Sequence, residues 1–155
     1  MDETSTHRVL AIRYADILDA PEAADLLREY SAECSIPEIG PTCPQRQMYA
    51  SMESSGLMHS FGAYEGSALV GFATLLVFVL PHYGKKIANV ESLFLAKAHR
   101  RGGLGSLLMD ELEKFAREMQ CCGVLYNART GSQFEKYLAA VPQYKRTNSV
   151  FLRTL

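Results

Sequence analysis

The strongest periodic pattern in the chain is the alternation of apolar and charged residues that begins at Leu104. Apolar residues recur there every three or four positions, as on one face of an amphipathic helix. The pairs Asp110–Lys114 and Glu113–Arg117 place the acid four residues before the base, a spacing that stabilises helices. The pattern predicts a helix with one apolar face, made by Leu104, Leu107, Leu108, Leu112, Phe115, Ala116 and Met119.

The other patterns predict an α/β fold. Runs rich in Val, Phe and Leu predict strands, and a Glu65-Gly66-Ser67 turn between two of them indicates a hairpin. Asp19 is a candidate N-cap, with Pro21 in the first turn, for a helix over 20–33. Residues 35–44 contain three prolines and a glycine, which exclude regular structure. The predicted strands are 7–15, two within 58–80, 88–96, 123–128 and 149–155, and the predicted helices are 20–33, 45–56, the one from Leu104, and 132–140.

Length, composition and charge narrow the classes of protein. A chain of 155 residues with 48% hydrophobic content suits one domain, residues 1–155. The formal net charge of −1 disfavours nucleic acid as a partner. No apolar run approaches the roughly 20 residues of a spanning helix, and the N-terminus is acidic and polar, unlike a signal peptide. We therefore expect a cytoplasmic protein with no membrane partner.

The cysteines and histidines predict no metal site. Cys34 and Cys43 flank a proline-rich turn, while Cys121 and Cys122 are neighbours. Neither arrangement is a zinc-type C-x-x-C pair, and vicinal cysteines rarely form a disulfide. The four histidines have no ligand spacing. We expect reduced thiols, with the role of Cys121 and Cys122 left open.

One loop, "HRRGGLGSLL" at 99–108, carries a chemical signal. It puts arginines and glycines between a predicted strand and the predicted helix from Leu104. The first N–H groups of a helix have no internal partner and lie at the positive end of its dipole. Glycines let these amides approach a ligand, and Arg100 and Arg101 add positive charge. The loop therefore predicts an anion site long enough for two phosphates in series.

The spacing of the loop distinguishes between phosphate motifs. The dinucleotide pattern G-x-G-x-x-G fails because Leu108 stands at the third glycine position, and no Gly-Lys-Ser/Thr of a P-loop follows. The pattern R-x-x-G-x-G, made by Arg100, Gly103 and Gly105, does fit. With its preceding strand and following helix, the segment 88–128 resembles the GCN5-related N-acetyltransferase (GNAT) family, and the order of elements on both sides agrees.

The resemblance implies a fold and a co-substrate. The fold is α/β, with a mixed, mostly antiparallel sheet of about six to seven strands, splayed at its centre, and about four flanking helices. The co-substrate is acetyl-coenzyme A, and an amine is the acceptor. The amides of the loop would hold the pyrophosphate, and the backbone of the preceding strand would contact the pantetheine and acetyl carbonyl. The implied coenzyme-binding residues are Leu93, Phe94, Leu95, Arg100, Arg101, Gly102, Gly103, Leu104, Gly105 and Ser106.

Glu91 is the candidate general base. Protonated alkyl amines, with a pKa near 10, cannot attack a thioester, so a group must remove the proton directly or through water. Strand alternation predicts that positions 91, 93 and 95 share one face. The alternative is a carboxylate that hydrogen-bonds to a neighbouring strand or loop.

Tyr137 is the candidate general acid, because the family places a tyrosine on the short helix after its fifth strand. Family members often carry Asn-x-x-Ala before that tyrosine, and this chain departs from the pattern. Thr130 stands at the asparagine position, Gln133 stands at the alanine position, and Asn127 comes three residues too early. Tyr144 competes for the role, and Tyr126 is a remoter third. An ordinary core position is the other interpretation of Tyr137.

The acceptor side is less defined. The resemblance implies that about 30–60 and 81–87 shape it, and Lys85 and Lys86 there could attract an acidic acceptor or simply be solvated. Direct acetyl transfer to a primary amine of a small molecule or peptide is the leading function. A catalytically inactive acyl-coenzyme A binding module of the same fold and a nucleic-acid binder are the alternatives, and either a monomer or a homodimer is consistent with the sequence.

Overall fold

The computed structural model describes residues 6–155, so the first residues of the predicted domain, 1–5, lie outside it. Its strands are β1 (His7–Ile12), β2 (Met58–Glu65), β3 (Ala68–Leu80), β4 (Lys85–Leu95) and β5 (Val124–Tyr126). Within these described residues, the five strands form one sheet in the order β1-β2-β3-β4-β5. The helices are α1 (Tyr14–Leu18), α2 (Ala23–Cys34), α3 (Arg46–Ser54), α4 (Leu104–Glu118) and α5 (Gln133–Ala140), with a 3₁₀ turn at Lys97–His99.

The sheet is mixed, as the sequence predicts. The pairs β1–β2, β2–β3 and β3–β4 are antiparallel, whereas β4 and β5 run parallel. Parallel neighbours need a crossover, and α4 supplies it. The β4–β5 pairing covers only Ala88–Val90 and Val124–Tyr126. Beyond Val90, β4 continues without β5, so the sheet opens between these two strands toward the phosphate end of β4.

Apolar side chains cover both faces of the sheet. The apolar face of α4 packs on one side, where Leu104, Leu108 and Leu112 are fully buried. On the other side, α1 and α2 cover a second cluster that includes Phe72 and Phe94. The charged positions of α4 face away from the core, and this is why its periodicity is so clear in the sequence.

The first strand is shorter than predicted, and a helix follows it. The predicted strand over 7–15 ends at Ile12, and α1 begins at Tyr14. Asp16 accepts hydrogen bonds from the Arg13 backbone N–H at 2.9 Å and from the Arg13 guanidinium. The Asp16 carboxylate therefore stabilises the start of α1 locally, although residues 14–18 are rich in apolar side chains, as a strand is. Asp19 ends α1 and forms an ion pair with Arg46 at 2.6 Å, so it does not cap α2, whose N-cap is Glu22.

The predicted strand over 149–155 is wrong. These residues have no regular structure, and Val150 and Phe151 are 90% and 91% exposed. A strand is stabilised by packing and by its neighbours more than by its own composition. Within residues 6–155 the sheet therefore has five strands rather than six to seven, and with α1 added the fold has five helices rather than about four.

A bulge in β4 alters the alternation expected around Glu91. Ser92 pairs with Thr74 and Val90 pairs with Leu75, so Glu91 is the extra residue between two consecutive pairs. Val90, Leu93 and Leu95 belong to the cluster beneath α4. Glu91 instead hydrogen-bonds Thr74, so the prediction that 91, 93 and 95 share one face is wrong.

Within residues 6–155, no helix is long and apolar enough to cross a bilayer.

Candidate active site

The phosphate loop, residues 99–106, joins β4 to α4 and presents a row of backbone amides. Gly102 and Gly103 have φ of +116° and +89°, in the left-handed region that glycine adopts without strain. The first hydrogen bond of α4 runs from the Leu107 N–H to the Gly103 carbonyl at 3.0 Å. The N–H groups of 101–106 have no acceptor among residues 6–155. This segment can therefore hold an anion, as the sequence predicts for a helix start.

The two arginines of the loop differ in what they contact. The Arg100 Nε donates to the Leu95 carbonyl at 2.8 Å, and its guanidinium pairs with Glu33 at 2.7 Å. It also lies 5.4 Å from the centre of the Phe94 ring. Arg100 thus ties the loop to β4 and α2 rather than pointing its charge at a ligand. Arg101 is exposed and has no carboxylate partner among the described residues.

Asn127 holds the point at which β4 and β5 diverge. Its Nδ2 donates to the Val90 carbonyl at 2.8 Å and to the Asn89 Oδ1 at 3.0 Å. Asn127 directly follows the end of β5, and its side-chain amide donates to the carbonyl of the β4 residue just before Glu91. Sequence reasoning assigned Asn127 no role because it compared the residue with a motif three positions away. The position right after a strand, opposite the candidate base, is the signal that could have identified it.

Glu91 lies at the bulge with its side chain exposed. The Thr74 hydroxyl donates to its Oε2 at 2.6 Å. Thr74 is fully buried and also contacts the Ser92 hydroxyl at 2.6 Å. The second oxygen, Oε1, has no hydrogen-bond partner among residues 6–155. The geometry is compatible with both interpretations of Glu91. One carboxylate oxygen hydrogen-bonds the neighbouring strand, and the other is available to take a proton as a general base would.

Three tyrosines surround the face of β3 and β4 that carries Glu91, and we call Tyr14, Tyr30, Tyr49 and Glu91 the tyrosine face. The rings of Tyr14 and Tyr49 stack at 3.6 Å between centroids. Tyr30 packs edge-on against Phe72 at 5.1 Å and Phe94 at 5.5 Å. Burial, followed by the charge of Glu91, raises the pKa of Tyr30 and of Tyr49.

The raised pKa values keep these phenols neutral at physiological pH, so they can donate hydrogen bonds but cannot act as bases. Sequence reasoning missed the tyrosine face, since its members come from α1, α2, α3 and β4. Tyr30 stood out only as an apolar-face position of a helix, and such positions are usually core. No motif joins the four residues.

The candidate acids differ in their partners. The Tyr144 and Tyr126 hydroxyls both donate to Glu113 Oε1 on α4, at 2.9 Å and 3.2 Å. Burial, and then the bond to Glu113, raises the pKa of Tyr144 to about 12. Tyr137 is 43% exposed on α5, and its hydroxyl has no partner among residues 6–155. Of the three phenols, only that of Tyr137 is not already bound to Glu113.

The loop before β4 lies away from the tyrosine face. Its turn closes the β3–β4 hairpin at the end opposite the phosphate loop. The Lys86 Nζ donates to the Met119 carbonyl at 3.1 Å, at the C-terminus of α4, where a cation is favoured. Lys86 therefore stabilises a helix end and does not meet an acceptor near Glu91.

Comparison with known proteins agrees with this arrangement. The sequence matches the Acetyltransferase (GNAT) family over residues 23–138. No curated protein gives a significant sequence match. Among solved structures, an aminoglycoside acetyltransferase from an uncultured soil metagenomic sample, in complex with trehalose, superposes with a TM-score of 0.74 at 18% identity, covering 96% of both chains.

Two further structures share the fold at similarly low identity. A ribosomal-protein-alanine N-acetyltransferase from Brucella melitensis biovar Abortus 2308 has a TM-score of 0.72 at 19% identity, over 96% of this chain and 99% of that one. AAC(6')-Iy, in complex with a bisubstrate analogue, CoA-S-monomethyl-acetylneamine, has a TM-score of 0.70 at 12% identity, over 97% and 99%. These identities establish the fold alone. Because the family match spans most of the chain, including the phosphate loop and the bulged strand, the protein belongs to the Acetyltransferase (GNAT) family and is an acyltransferase.

Proposed function

We propose that residues 1–155 form a single domain that transfers an acetyl group directly from acetyl-coenzyme A to a primary amine of a small molecule or peptide. Enzymes of the family use acetyl-coenzyme A. The observation that carries the proposal is a juxtaposition along β4: an exposed carboxylate at a bulge, followed by a loop whose amides 101–106 are unbonded within the described chain. A cytoplasmic location, and a state of monomer or homodimer, stay predictions of the sequence.

The phosphate loop fits the coenzyme. Bound acetyl-coenzyme A supplies the activated thioester. The amides of 101–106 would hold its pyrophosphate, Gly103 and Gly105 leave room for that approach, and Arg101 adds a charge. The backbone of Leu93 and Phe94, on the part of β4 that β5 leaves free, would hold the pantetheine. The Leu95 carbonyl already accepts a hydrogen bond from Arg100, so this carbonyl would not contact the pantetheine.

A backbone N–H of this segment would polarise the thioester carbonyl, as a small oxyanion hole. Glu91 would remove one proton from the acceptor ammonium through its free Oε1, directly or through water. The freed nitrogen lone pair forms the N–C bond while the C–S bond breaks, and the acylated nitrogen then loses its second proton to solvent, which leaves the neutral amide. The Thr74 hydroxyl fixes the carboxylate by its bond to Oε2.

Tyr137 would donate a proton to the departing sulfur and regain one from solvent. Its phenol hydroxyl is a hydrogen-bond donor and has no competing partner in the described chain. Tyr144 is less suited because its proton is directed at Glu113. Since a thiolate is a fair leaving group, with thiol pKa values near 8.5, the gain from this acid is modest.

Two measurements on the wild-type protein test the function. Calorimetric titration with acetyl-coenzyme A should show binding, and a panel of small amines and peptides should include acceptors that gain an acetyl group. Failure to bind the coenzyme would refute the proposal. Coenzyme binding without acetylation of any amine would instead identify an inactive acyl-coenzyme A binding module.

A further inference from the structure

The tyrosine face combines aromatic rings with one accessible carboxylate. Tyr30 lies on Phe72 and Phe94, which pair across β3 and β4. The next pair along these strands is Thr74 with Ser92, and the Thr74 hydroxyl donates to the Glu91 carboxylate. Tyr30 and Tyr49 are half-buried, so part of each side chain stays accessible to solvent. A carboxylate beside aromatic faces is the chemistry that binds organic cations.

Charges around the tyrosine face favour the same class of ligand. Three arginines of the surrounding elements are paired with carboxylates: Arg13 with Asp16, Arg46 with Asp19 and Arg100 with Glu33. The covering segment from the end of α2 to the start of α3, residues 29–45, contains three acids and no Lys, Arg or His. Of these acids, Glu33 is the partner of Arg100, and its carbonyl accepts from Arg129, which leaves Glu29 and Glu38 without an arginine partner among the described residues. The charge of Glu91 raises the pKa of the nearby phenols after burial does, which agrees with a local negative potential.

An acidic acceptor would meet repulsion here. A carboxylate on the acceptor would lie beside Glu91 and the neutral phenols, without an unpaired arginine from these elements to bind it. A second ammonium group would meet aromatic rings and an acidic covering segment. Lys85 and Lys86 do not reverse this preference, because they begin β4 at the end opposite the phosphate loop and Lys86 is bonded at the end of α4.

We infer that the acceptor is a cationic amine that carries a second positive charge, with the reacting ammonium on Glu91 and the remainder against Tyr30 and Tyr49. The inference rests on the proposed function, since it assigns the acceptor of that same site. It separates dicationic acceptors, of the diamine class, from monocationic alkyl amines and from zwitterionic amino acids.

Three acceptors of equal length isolate the charge: 1,5-diaminopentane, pentylamine and 5-aminopentanoate. We expect kcat/KM to fall in this order, by about tenfold at each step, as a unit charge a few ångströms from the exposed Glu91 carboxylate predicts at low salt. The advantage of the diamine should shrink as salt is raised, because exposed charges are screened within about 8–10 Å. Calorimetry with the protein saturated by coenzyme A measures the same order without turnover.

The outcomes separate this inference from the proposed function. If coenzyme binds but nothing is acetylated, the proposed function fails, and binding of the three amines still tests the charge preference. Equal affinities, or tighter binding of 5-aminopentanoate, overturn the inference whether or not turnover is seen. Glu91→Gln should abolish the ordering in the binding measurement, and Tyr49→Leu should reduce it. Tyr83→Leu is the matched control, because Tyr83 is exposed in the β3–β4 turn, and it should leave the ordering unchanged; an equal loss in the control would contradict the assignment.

Discussion

The two ends of the candidate site are built in different ways. The phosphate loop is a continuous segment whose function resides in its backbone amides and glycine conformations. The tyrosine face is assembled from side chains of four elements, and its members lie up to 77 positions apart in the chain. A local backbone site is visible as a motif, whereas a site of dispersed side chains has no spacing to read. The same contrast predicts which substitutions act on coenzyme binding and which act on the chemical step.

The largest effect should come from a charge inside the phosphate loop. Gly105→Asp should lower acetyl-coenzyme A affinity by at least about 100-fold, because a carboxylate would face the pyrophosphate where two like charges repel. A Cβ at Gly105 meets only Leu95 Cδ2 at 3.9 Å, and an acid in a first helical turn is favourable, so folding should persist. Calorimetry of the folded variant measures the loss, and Gly105→Ala controls for the added Cβ.

Gly103→Asp should bind equally poorly but should also be less stable. Gly103 has φ of +89°, where an L-residue is strained by about 1 kcal/mol or more. Normal coenzyme affinity in both folded aspartate variants would show that the loop is not the pyrophosphate site.

The next largest effect should fall on turnover alone. Glu91→Gln removes the base but keeps the bond acceptor for Thr74, so kcat at pH 7 should drop by roughly 100-fold or more, as for other general bases. Coenzyme affinity should remain near wild type, because Glu91 lies outside the phosphate loop. Steady-state kinetics at saturating acceptor, with calorimetry beside it, separates the two. Unaltered kcat would eliminate Glu91 as the base.

A smaller effect distinguishes the tyrosines. Tyr137→Phe should slow the chemical step by about 10–100-fold, with melting temperature and coenzyme affinity near wild type, since only an unpartnered hydroxyl is lost. Tyr144→Phe loses its bond to Glu113 and should cost about 1 kcal/mol of unfolding free energy with little change in rate. Rapid-quench kinetics measures the rate of the chemical step, and thermal melting measures the loss of stability. The reverse pattern would move the acid to Tyr144, and two unaffected rates would mean that the sulfur leaves without a tyrosine.

The smallest effect should come from the segment that the sequence predicts as a final strand. Replacing Val150 and Phe151 together by serine should change the free energy of unfolding by less than about 0.5 kcal/mol, as at other exposed positions. Urea denaturation measures this change. A loss of several kcal/mol would mean that the segment packs in solution, and sedimentation of the variant would then show whether a second copy provides the surface.

The sequence by itself determined the elements whose signal is local. The apolar face of α4, the turn between β2 and β3, and the phosphate loop with its Arg100-x-x-Gly103-x-Gly105 spacing all depend on residues near one another in the chain, so periodicity and turn chemistry reveal them. The same information was enough to identify the family and, through it, the sheet. Local patterns gave wrong predictions where packing decides the structure. Residues 149–155 have the composition of a strand but pair with no neighbouring strand, and Tyr14–Leu18 has the apolar residues of a strand but begins as a helix after Arg13.

Only the tertiary structure decided what lies around Glu91. The bulge depends on the register between β3 and β4, and one extra residue moves a side chain to the opposite face of a sheet. Whether Arg100 would face a ligand or Glu33 depended on where α2 ends, and whether Tyr144 was free depended on Glu113. These contacts join residues far apart in the chain, and their geometry follows from close packing of whole elements rather than from any local preference.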